Sequence, residues 1–284
     1  MSGPKVLVFD SGIGGLSVAR CIGQTVPNAR LTYLMDNAFF PYGNQPESVV
    51  IERCVSLIGQ CLQNTGADVV VIACNTASTI ALPALRAAIP VPVVGVVPAI
   101  KPAAGVSRNR RIGLLATPAT VKRPYLDALI GEFASDCTVT RVGQADLVHW
   151  IEAWASGHAA LPAEQLSAAL EPFRVAEVDT VVLGCTHYPL IDELLRTLLP
   201  GVSHWVDSGE AIARRTRQLL TAAGFVMTQT VPRDVVGVRV NGCFSGPAPA
   251  HIRTYMAGLG MAPDVLTGFW PGTPQADATA VASA

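Results

Sequence analysis

Charge is scarce in this chain of 284 residues: 14% are Asp, Glu, Lys or Arg, and the formal net charge is -1. Without a run of Lys or Arg, it lacks the electrostatic footprint by which proteins hold nucleic acid or an anionic membrane. Neither partner is expected, and a small ligand fits better. Long apolar stretches are also missing, because Asn, Pro or Gly interrupts each candidate before the roughly 20 residues of a membrane helix. The start, MSGPKVLVFD, has no extended apolar segment or small-residue cleavage site, so the chain reads as cytoplasmic. Lysine occurs only at Lys5, Lys101 and Lys122, and none lies in a motif resembling a pyridoxal-phosphate Schiff-base site. Chemistry without a cofactor is the expectation.

Paired cysteine motifs are absent as well. Seven cysteines stand at positions 21, 54, 61, 74, 137, 185 and 243, an odd number without a CxxC pair. That pattern argues against a disulfide framework and against a thiolate metal site, and leaves reduced thiols as the default.

What is present is an alternation of short apolar runs with longer amphipathic stretches. KVLVFD, LTYLMD, VVVIACN and PVVGVV read as strands, with helical patterns between them; RIGLLAT, CTVTRVG, TVVLGCT and HWVDSG continue the series to about Asp207. Such a series predicts an α/β fold with parallel sheets covered on both faces. Half the residues are hydrophobic, which at this length allows one large or two medium domains, two being the better expectation.

The chain also echoes itself. ADVVVIACNT (67–76) and VDTVVLGCTH (178–187) each place an Asp six residues before a Cys, an apolar strand between them, and two polar residues after the Cys. KVLVFDSG near the start matches RIGLLATP at 111–118 in the same way. Two related α/β units are implied, with Asp10, Ser11, Thr117 and both Cys motifs at strand ends, where parallel sheets open their ligand crevice. Repeated apolar strands are common in any α/β fold, and the bland reading is chance.

Most buried cysteines are inert core residues, and Cys21, Cys54 and Cys61 fall within predicted helices. Cys74 and Cys185 differ, since each ends a strand and precedes polar groups, Asn75-Thr76 and Thr186-His187. Inverting an α-carbon requires a proton to leave one face and another to arrive at the opposite face. Two matched thiols on opposite walls meet that need, because an ordinary thiol pKa of about 8.5 makes both protonation states accessible. The competing reading is a Cys185/His187 nucleophile pair, with residues two apart facing one side of a strand, which leaves the Cys74 motif unused.

Other residues admit two readings at this level. Asp10-Ser11-Gly12-Ile13-Gly14-Gly15 between a strand and a helix could aim N–H groups at an anion such as a substrate carboxylate, although it is not a dinucleotide fingerprint. Asp10 itself suits a substrate ammonium or a thiol proton. Tyr42-Gly43 reads as a Pro-Tyr-Gly turn, Asp36 as a surface carboxylate, and Thr117 and Thr120 as either an N-cap or an anion contact.

Taken together, FDSGIGG (9–15), PYG (41–43), ACNTAS (73–78), PVVGVVPAIKPA (92–103), LGCTHYPL (183–190) and VDSGEAIA (206–213) resemble the glutamate racemases in order and spacing, from about Lys5 to Met227. Aspartate racemase, which shares the general plan, is the nearest enzymatic alternative; a non-catalytic ligand-binding protein is the other. The resemblance implies two similar doubly wound domains related by a pseudo-twofold axis, residues 1–95 with 208–270 and residues 96–207, around a central cleft. It implies cofactor-independent interconversion of L- and D-glutamate for peptidoglycan synthesis, by a homodimer without metal. Cys74 would act on the D-enantiomer and Cys185 on the L-enantiomer, assisted by Asp10 and His187. Substrate contacts fall on Asp10, Ser11, Tyr42, Gly43, Asn75, Thr76, Thr186 and His187, with Asp36 and Glu152 as further acidic residues near the site. The stretch GQADLVHWIEAW departs from the family pattern, which usually has proline where His149 stands, so Glu152 rests on a shorter match. The sequence does not decide activation by a cell-wall precursor, although the short stretch before Asp10 leaves little room for an added regulatory segment. The Ala/Pro-rich end, 271–284, is expected to be disordered.

Overall fold

The structure, a computed structural model, describes residues 3–227 and 237–272. Their ten strands are β1 (Lys5–Asp10), β2 (Arg30–Met35), β3 (Val69–Ile72), β4 (Val93–Gly95), β5 (Arg111–Ala116), β6 (Thr138–Gly143), β7 (Thr180–Leu183), β8 (His204–Val206), β9 (Val238–Phe244) and β10 (Met261–Thr267). They form two parallel sheets, ordered β10-β9-β2-β1-β3-β4 and β6-β5-β7-β8. The α/β class and the parallel sheets are as the sequence alternation predicts. Of the tail expected to be disordered, Pro271 and Gly272 lie in a turn closed by the Gly272 N–H on the Phe269 carbonyl at 2.8 Å. Residues 273–284 lie outside the described residues.

The segment β2-β1-β3-β4 has the same order as β6-β5-β7-β8, so the internal echo is an echo of topology. In β1, β3, β5 and β7 nearly every residue is buried, as a parallel strand covered on both faces requires. The two halves agree in register: Phe9 pairs with Ile72 in one sheet and Leu115 with Leu183 in the other. Beyond these pairs, the Ala73 N–H donates to the Phe9 carbonyl and the Gly184 N–H to the Leu115 carbonyl, each at 2.8 Å. Both Cys motifs therefore leave their sheets at one equivalent point.

The paired aspartates of the echo have a structural duty. Asp68 accepts the Lys5 N–H at 2.7 Å at the start of β1. Asp179 accepts the Arg108 and Asn109 N–H groups at 2.7 and 2.8 Å and the Ser107 hydroxyl at 2.7 Å, just ahead of β5. Each clips the beginning of a central strand to its neighbour, which sets the register at the far end.

In both sheets the strand order reverses between the central strand and its neighbour, β1 against β3 and β5 against β7. Those are the switch points outside which an open parallel sheet forms its crevice. Asp10 and Cys74 stand at the first, Thr117 and Cys185 at the second. The chain crosses between sheets after β4 and returns after β8 through the helix Gly209–Ala222, which packs on the helix Leu16–Thr25. Apolar side chains from both lobes merge in one continuous core that includes Val8, Leu16, Val181 and Ile212. The crevices thus face each other across a packed interface. Among the described residues, no helix is long and apolar enough to cross a membrane.

Burial would raise the Asp179 carboxyl, but donation from the Asn109 amide, the Ser107 and Thr180 hydroxyls and the Arg108 amide outweighs it and holds the group below its ordinary range. A depressed carboxyl contributes stability that is complete above its unfolded pKa and is lost as pH falls through the folded value. Asp179→Asn is expected to cost about 1.5–3 kcal/mol at neutral pH, the typical worth of hydrogen bonds to a charged group. In denaturant unfolding, the gap between variant and parent should narrow below about pH 4, near the ordinary carboxylate pKa.

Candidate active site

The facing strand ends enclose a cleft with about 610 Å³ of open space. Its walls carry Asp10, Ser11, Tyr42, Gly43, Cys74, Asn75, Thr76, Thr117, Thr120, Cys185, Thr186 and His187. Phe40, Pro118, Ala119, Ala145 and Val148 add apolar surface. Twelve residues singled out in the sequence therefore meet in one space. Asp36 and Glu152 do not line it.

Cys74 caps the helix Asn75–Ala88, its Sγ 3.5 Å from the Ala77 N–H and 3.8 Å from the Ser11 hydroxyl. The amide end of a helix favours an anion there. Burial and the neighbouring Asp10 act more strongly and push the thiol well above its ordinary range. Cys74 is thus a neutral thiol at rest. A charge on Cys185 raises it further, so the two sulfurs sense each other across the cleft.

Cys185 has different company. Its Sγ lies 3.7 Å from His187 Nδ1, and His187 Nε2 lies 2.8 Å from Glu152 Oε1. The expected contact between Cys185 and His187 is present, but for another reason: β7 ends at Leu183, and the pair sits in the following turn rather than along a strand face. Burial alone would disfavour the imidazolium; the hydrogen bonds and negative charge of Cys185 and Glu152 outweigh it and hold His187 well above the usual range. Glu152, which rested on a short sequence match, stands at the end of this relay.

Asp10 is buried at the end of β1, where it accepts the Thr186 hydroxyl at 2.9 Å and the Gly12 N–H at 3.2 Å. Burial raises its carboxyl above the ordinary range, against opposing contributions from His187, Thr186 and the amides of Gly12 and Ser11. A buried carboxyl displaced upward is a better proton acceptor beside Cys74.

Two amides of the glycine loop are already taken within the protein. The Ile13 N–H is occupied by Glu152 Oε1 at 2.7 Å and the Gly12 N–H by Asp10, so neither is open to a substrate anion. The glycines instead let the lobes touch. A β-carbon on Gly12 would lie 2.2 Å from Glu152 Oε1, and one on Gly14 would lie 2.4 Å from Thr186 Oγ1, 2.5 Å from His187 Nδ1 and 2.8 Å from the His187 backbone nitrogen.

Asp36 is a brace rather than a surface carboxylate. It is fully buried and accepts Arg53 Nε and a terminal nitrogen at 2.9 and 2.6 Å, the Tyr42 hydroxyl at 2.7 Å and the Ser245 hydroxyl at 2.5 Å. With these donors its oxygens are satisfied, and its effect on the cleft passes through Tyr42. Thr117 caps the short helix Pro118–Val121 and shares a hydroxyl contact of 3.1 Å with Thr120, so capping and a place on the cleft wall coincide. Phe40, unremarked in the sequence, tilts against His187 and meets His149 edge-on, at centroid distances of 5.8 and 5.4 Å. Its neighbouring Pro-Tyr-Gly motif was the available signal.

The Asn75 side-chain oxygen is buried without a partner among the described residues. A buried acceptor of this kind calls for a donor supplied by a ligand. Among the described residues, neither Lys nor Arg lines the cleft wall, which offers Ser, Thr, Asn and backbone groups instead. Among the described residues, no group of three or more His, Cys, Asp or Glu is placed to hold a metal ion.

The sequence profile of the Asp/Glu/Hydantoin racemase family matches residues 12–216. A glutamate racemase of Sodalis glossinidius is 50% identical over 219 residues, 76% of this chain and 75% of that one. Another, from Shewanella sp. (strain MR-7), is 53% identical over 222 residues, 78% of this chain and 80% of that one. The crystal structure of Escherichia coli glutamate racemase, in complex with L-glutamate and the activator UDP-MurNAc-Ala, superposes with a TM-score of 0.82 at 40% identity, covering 93% of this chain and 97% of that one.

Gly14→Ala is expected to force apart the loop and the Thr186-His187 backbone. Overpacking of this kind typically costs about 1–3 kcal/mol. Calorimetry should record a lowered melting temperature, and any activity of the cleft should fall by more than the loss of folded protein explains.

Proposed function

The chain belongs to the Asp/Glu/Hydantoin racemase family, and on that premise we propose that it interconverts L- and D-glutamate without a cofactor, through Cys74 and Cys185. The observation that carries this reading is a single cleft holding two thiols at equivalent strand ends of two related sheets. A thiol hydrolase would use Cys185 with His187 and give Cys74 no task.

From the L side, Cys185 removes the α-proton with His187 beside it, and the neutral Cys74 thiol delivers a proton to the opposite face. From the D side the roles exchange: the Asp10 carboxylate takes the Cys74 thiol proton as the sulfur, favoured by the helix amide end, removes the α-proton, while Cys185, protonated by the His187 imidazolium, delivers a proton to the opposite face. The imidazolium of His187 stabilises charge on Cys185, and Glu152 stabilises that imidazolium. Asn75 is the acceptor suited to the substrate ammonium. Ser11, Thr76, Thr117 and Thr120, with the Gly43 backbone, offer the neutral donors suited to two carboxylates. The D-glutamate produced supplies peptidoglycan synthesis in the cytoplasm. Two lobes divided near residues 95 and 208 and a homodimeric assembly complete the reading.

The deciding experiment is α-proton exchange and racemisation of each glutamate enantiomer in D2O, without added cofactor. The parent protein should convert L-glutamate to D-glutamate deuterated at the α-carbon. Cys74→Ser and Cys185→Ser should each lower racemisation by roughly 10³-fold or more, consistent with loss of a general acid/base. Wild-type rates in either variant would defeat the two-thiol reading, and faster turnover of aspartate would reassign the substrate.

A second expectation concerns pH. His187 carries its proton below its raised pKa and loses it as pH rises through that value. Glu152→Gln removes one cause of the elevation, so the alkaline limb of the kcat profile should move to lower pH. The kcat itself should fall by roughly 10- to 100-fold, the scale of losing one hydrogen bond to a charged group, about 1.5–3 kcal/mol. Because the two enantiomers are equal in energy, kcat/KM must stay equal in both directions, and directional effects will appear in kcat and KM separately.

A further inference from the structure

Tyr33 is fully buried in β2, paired with Val8 of β1 on one side and Gly242 of β9 on the other. Its ring runs under the loop that follows β1. A β-carbon on Gly15 would lie 3.0 Å from that ring and 2.8 Å from the Asp10 β-carbon, so glycine at 15 gives the tyrosine room to pass. Tyr33 is outside the set of described residues that line the cleft. Its hydroxyl donates to the Gly12 carbonyl. Burial, with Asp10, Glu152 and Cys74 adding to it, raises the phenol well above its ordinary range, so the hydroxyl keeps its proton and stays a donor. A buried carbonyl needs a donor, and that need alone would account for a hydroxyl here.

The Gly12 carbonyl and the Ile13 N–H, however, are two ends of one peptide group. Its carbonyl faces Tyr33 in the core of the first lobe, and its N–H donates to Glu152 Oε1 of the second lobe at 2.7 Å. The same carboxylate oxygen lies 2.8 Å from His187 Nε2, and His187 Nδ1 lies 3.7 Å from Cys185 Sγ. A peptide group is planar, so a tilt of the carbonyl tilts the N–H with it. A hydrogen bond weakens steeply as it leaves line. Gly12 is extended, with φ of −143° and ψ of −164°, and without a side chain it restrains the ψ torsion that turns this peptide less than another residue would. The tyrosine hydroxyl supplies the missing restraint. Donation to the carbonyl also polarises the peptide and strengthens its N–H as a donor to the carboxylate.

We propose that Tyr33 is a positioning residue for proton transfer at Cys185: its hydroxyl locks the Gly12–Ile13 peptide with the N–H on Glu152, and so fixes the carboxylate that holds His187 beside the thiol. This rests on the Glu152–His187–Cys185 reading given above. A tyrosine in the core of the first lobe thereby orients a histidine of the second, through hydrogen bonds between named atoms at every link. The titratable groups around His187 are Cys185 in its own turn, Glu152 from the helix Leu147–Ala155 and Asp10 at the end of β1, with His149 on the Phe40 ring beside it. Tyr33 acts on His187 through Glu152.

Tyr33→Phe keeps the ring and removes only the hydroxyl. Its kcat for glutamate racemisation is expected to fall roughly three- to tenfold, the scale of one hydrogen bond between neutral groups, with KM changed by less than about twofold. The alkaline limb of the kcat profile should move to lower pH, because a carboxylate held less firmly gives the His187 imidazolium less support. A tyrosine that merely filled the core would lower the melting temperature on removal of its hydroxyl and leave that limb in place. In a Glu152→Ala background the same substitution should cause no further loss of kcat, as expected of residues acting in one chain. Replacement of Tyr33 by 4-aminophenylalanine keeps a donor, a weaker one, at the same place. Its alkaline limb should lie below that of the parent, which gives a reading even where Tyr33→Phe yields no folded enzyme. An unmoved limb in either variant, wild-type kcat in Tyr33→Phe, or an equal loss in both backgrounds would overturn the proposal. Wild-type kcat in Glu152→Ala alone would instead remove the relay itself, and the proposal with it.

Discussion

The architecture of the site depends on the closeness with which two lobes meet at their strand ends. Thr186 of one lobe donates to Asp10 of the other at 2.9 Å, and Glu152 accepts both the Ile13 amide and His187. Side chains on residues 12 and 14 would forbid that approach, which is why glycine stands at both. A carboxylate rooted in the second lobe can then organise a loop of the first. The distance between the thiols follows from this seam, since each sulfur is fixed relative to its own sheet and the seam fixes one sheet against the other.

Near-symmetry of the frame and asymmetry of the chemistry coexist. β1 with β3 and β5 with β7 are equivalent in order and register, so each lobe presents a Cys at the same place. The residues after the strands then differ. A helix of fourteen residues begins at Asn75 and turns its amide end to Cys74, whereas Cys185 enters a turn that brings His187 back to its sulfur. One thiol is thereby paired with a carboxylate and the other with an imidazole. Opposite faces of one α-carbon need the same proton transfer in opposite senses, and two unlike environments can hold one thiol protonated while supporting charge on the other.

Burial supplies the energetic contrast. Asp10, Cys74 and His187 are all enclosed, and water that would level their proton affinities is largely replaced by a few defined partners. Asp36 shows the opposite use of a buried carboxylate: four donor contacts satisfy it, and it serves to orient Tyr42. What sets Asp36 apart from Asp10 is a charged donor, Arg53, among its partners.

The sequence by itself determined the α/β class, the internal echo and the two strand-end cysteines, because parallel strands buried on both faces write themselves as apolar runs and their ends are local features. Asp10, Asn75, Thr186 and His187, which the motif resemblance implies as substrate contacts, line the cleft wall, since each is a near neighbour in sequence of a strand end. The resemblance left Glu152 on a short match and set Asp36 near the site, while the residues alone read Asp36 as a surface carboxylate; both depend on partners far away in the chain, Glu152 on Ile13, 139 residues away, and Asp36 on Ser245, 209 residues away. The glycines of the first loop were legible as a turn, but their purpose was not, for the atoms that exclude a β-carbon come from the other lobe. Only the tertiary structure decided which groups touch across the seam, and with that which thiol acquires a histidine relay and which a carboxylate.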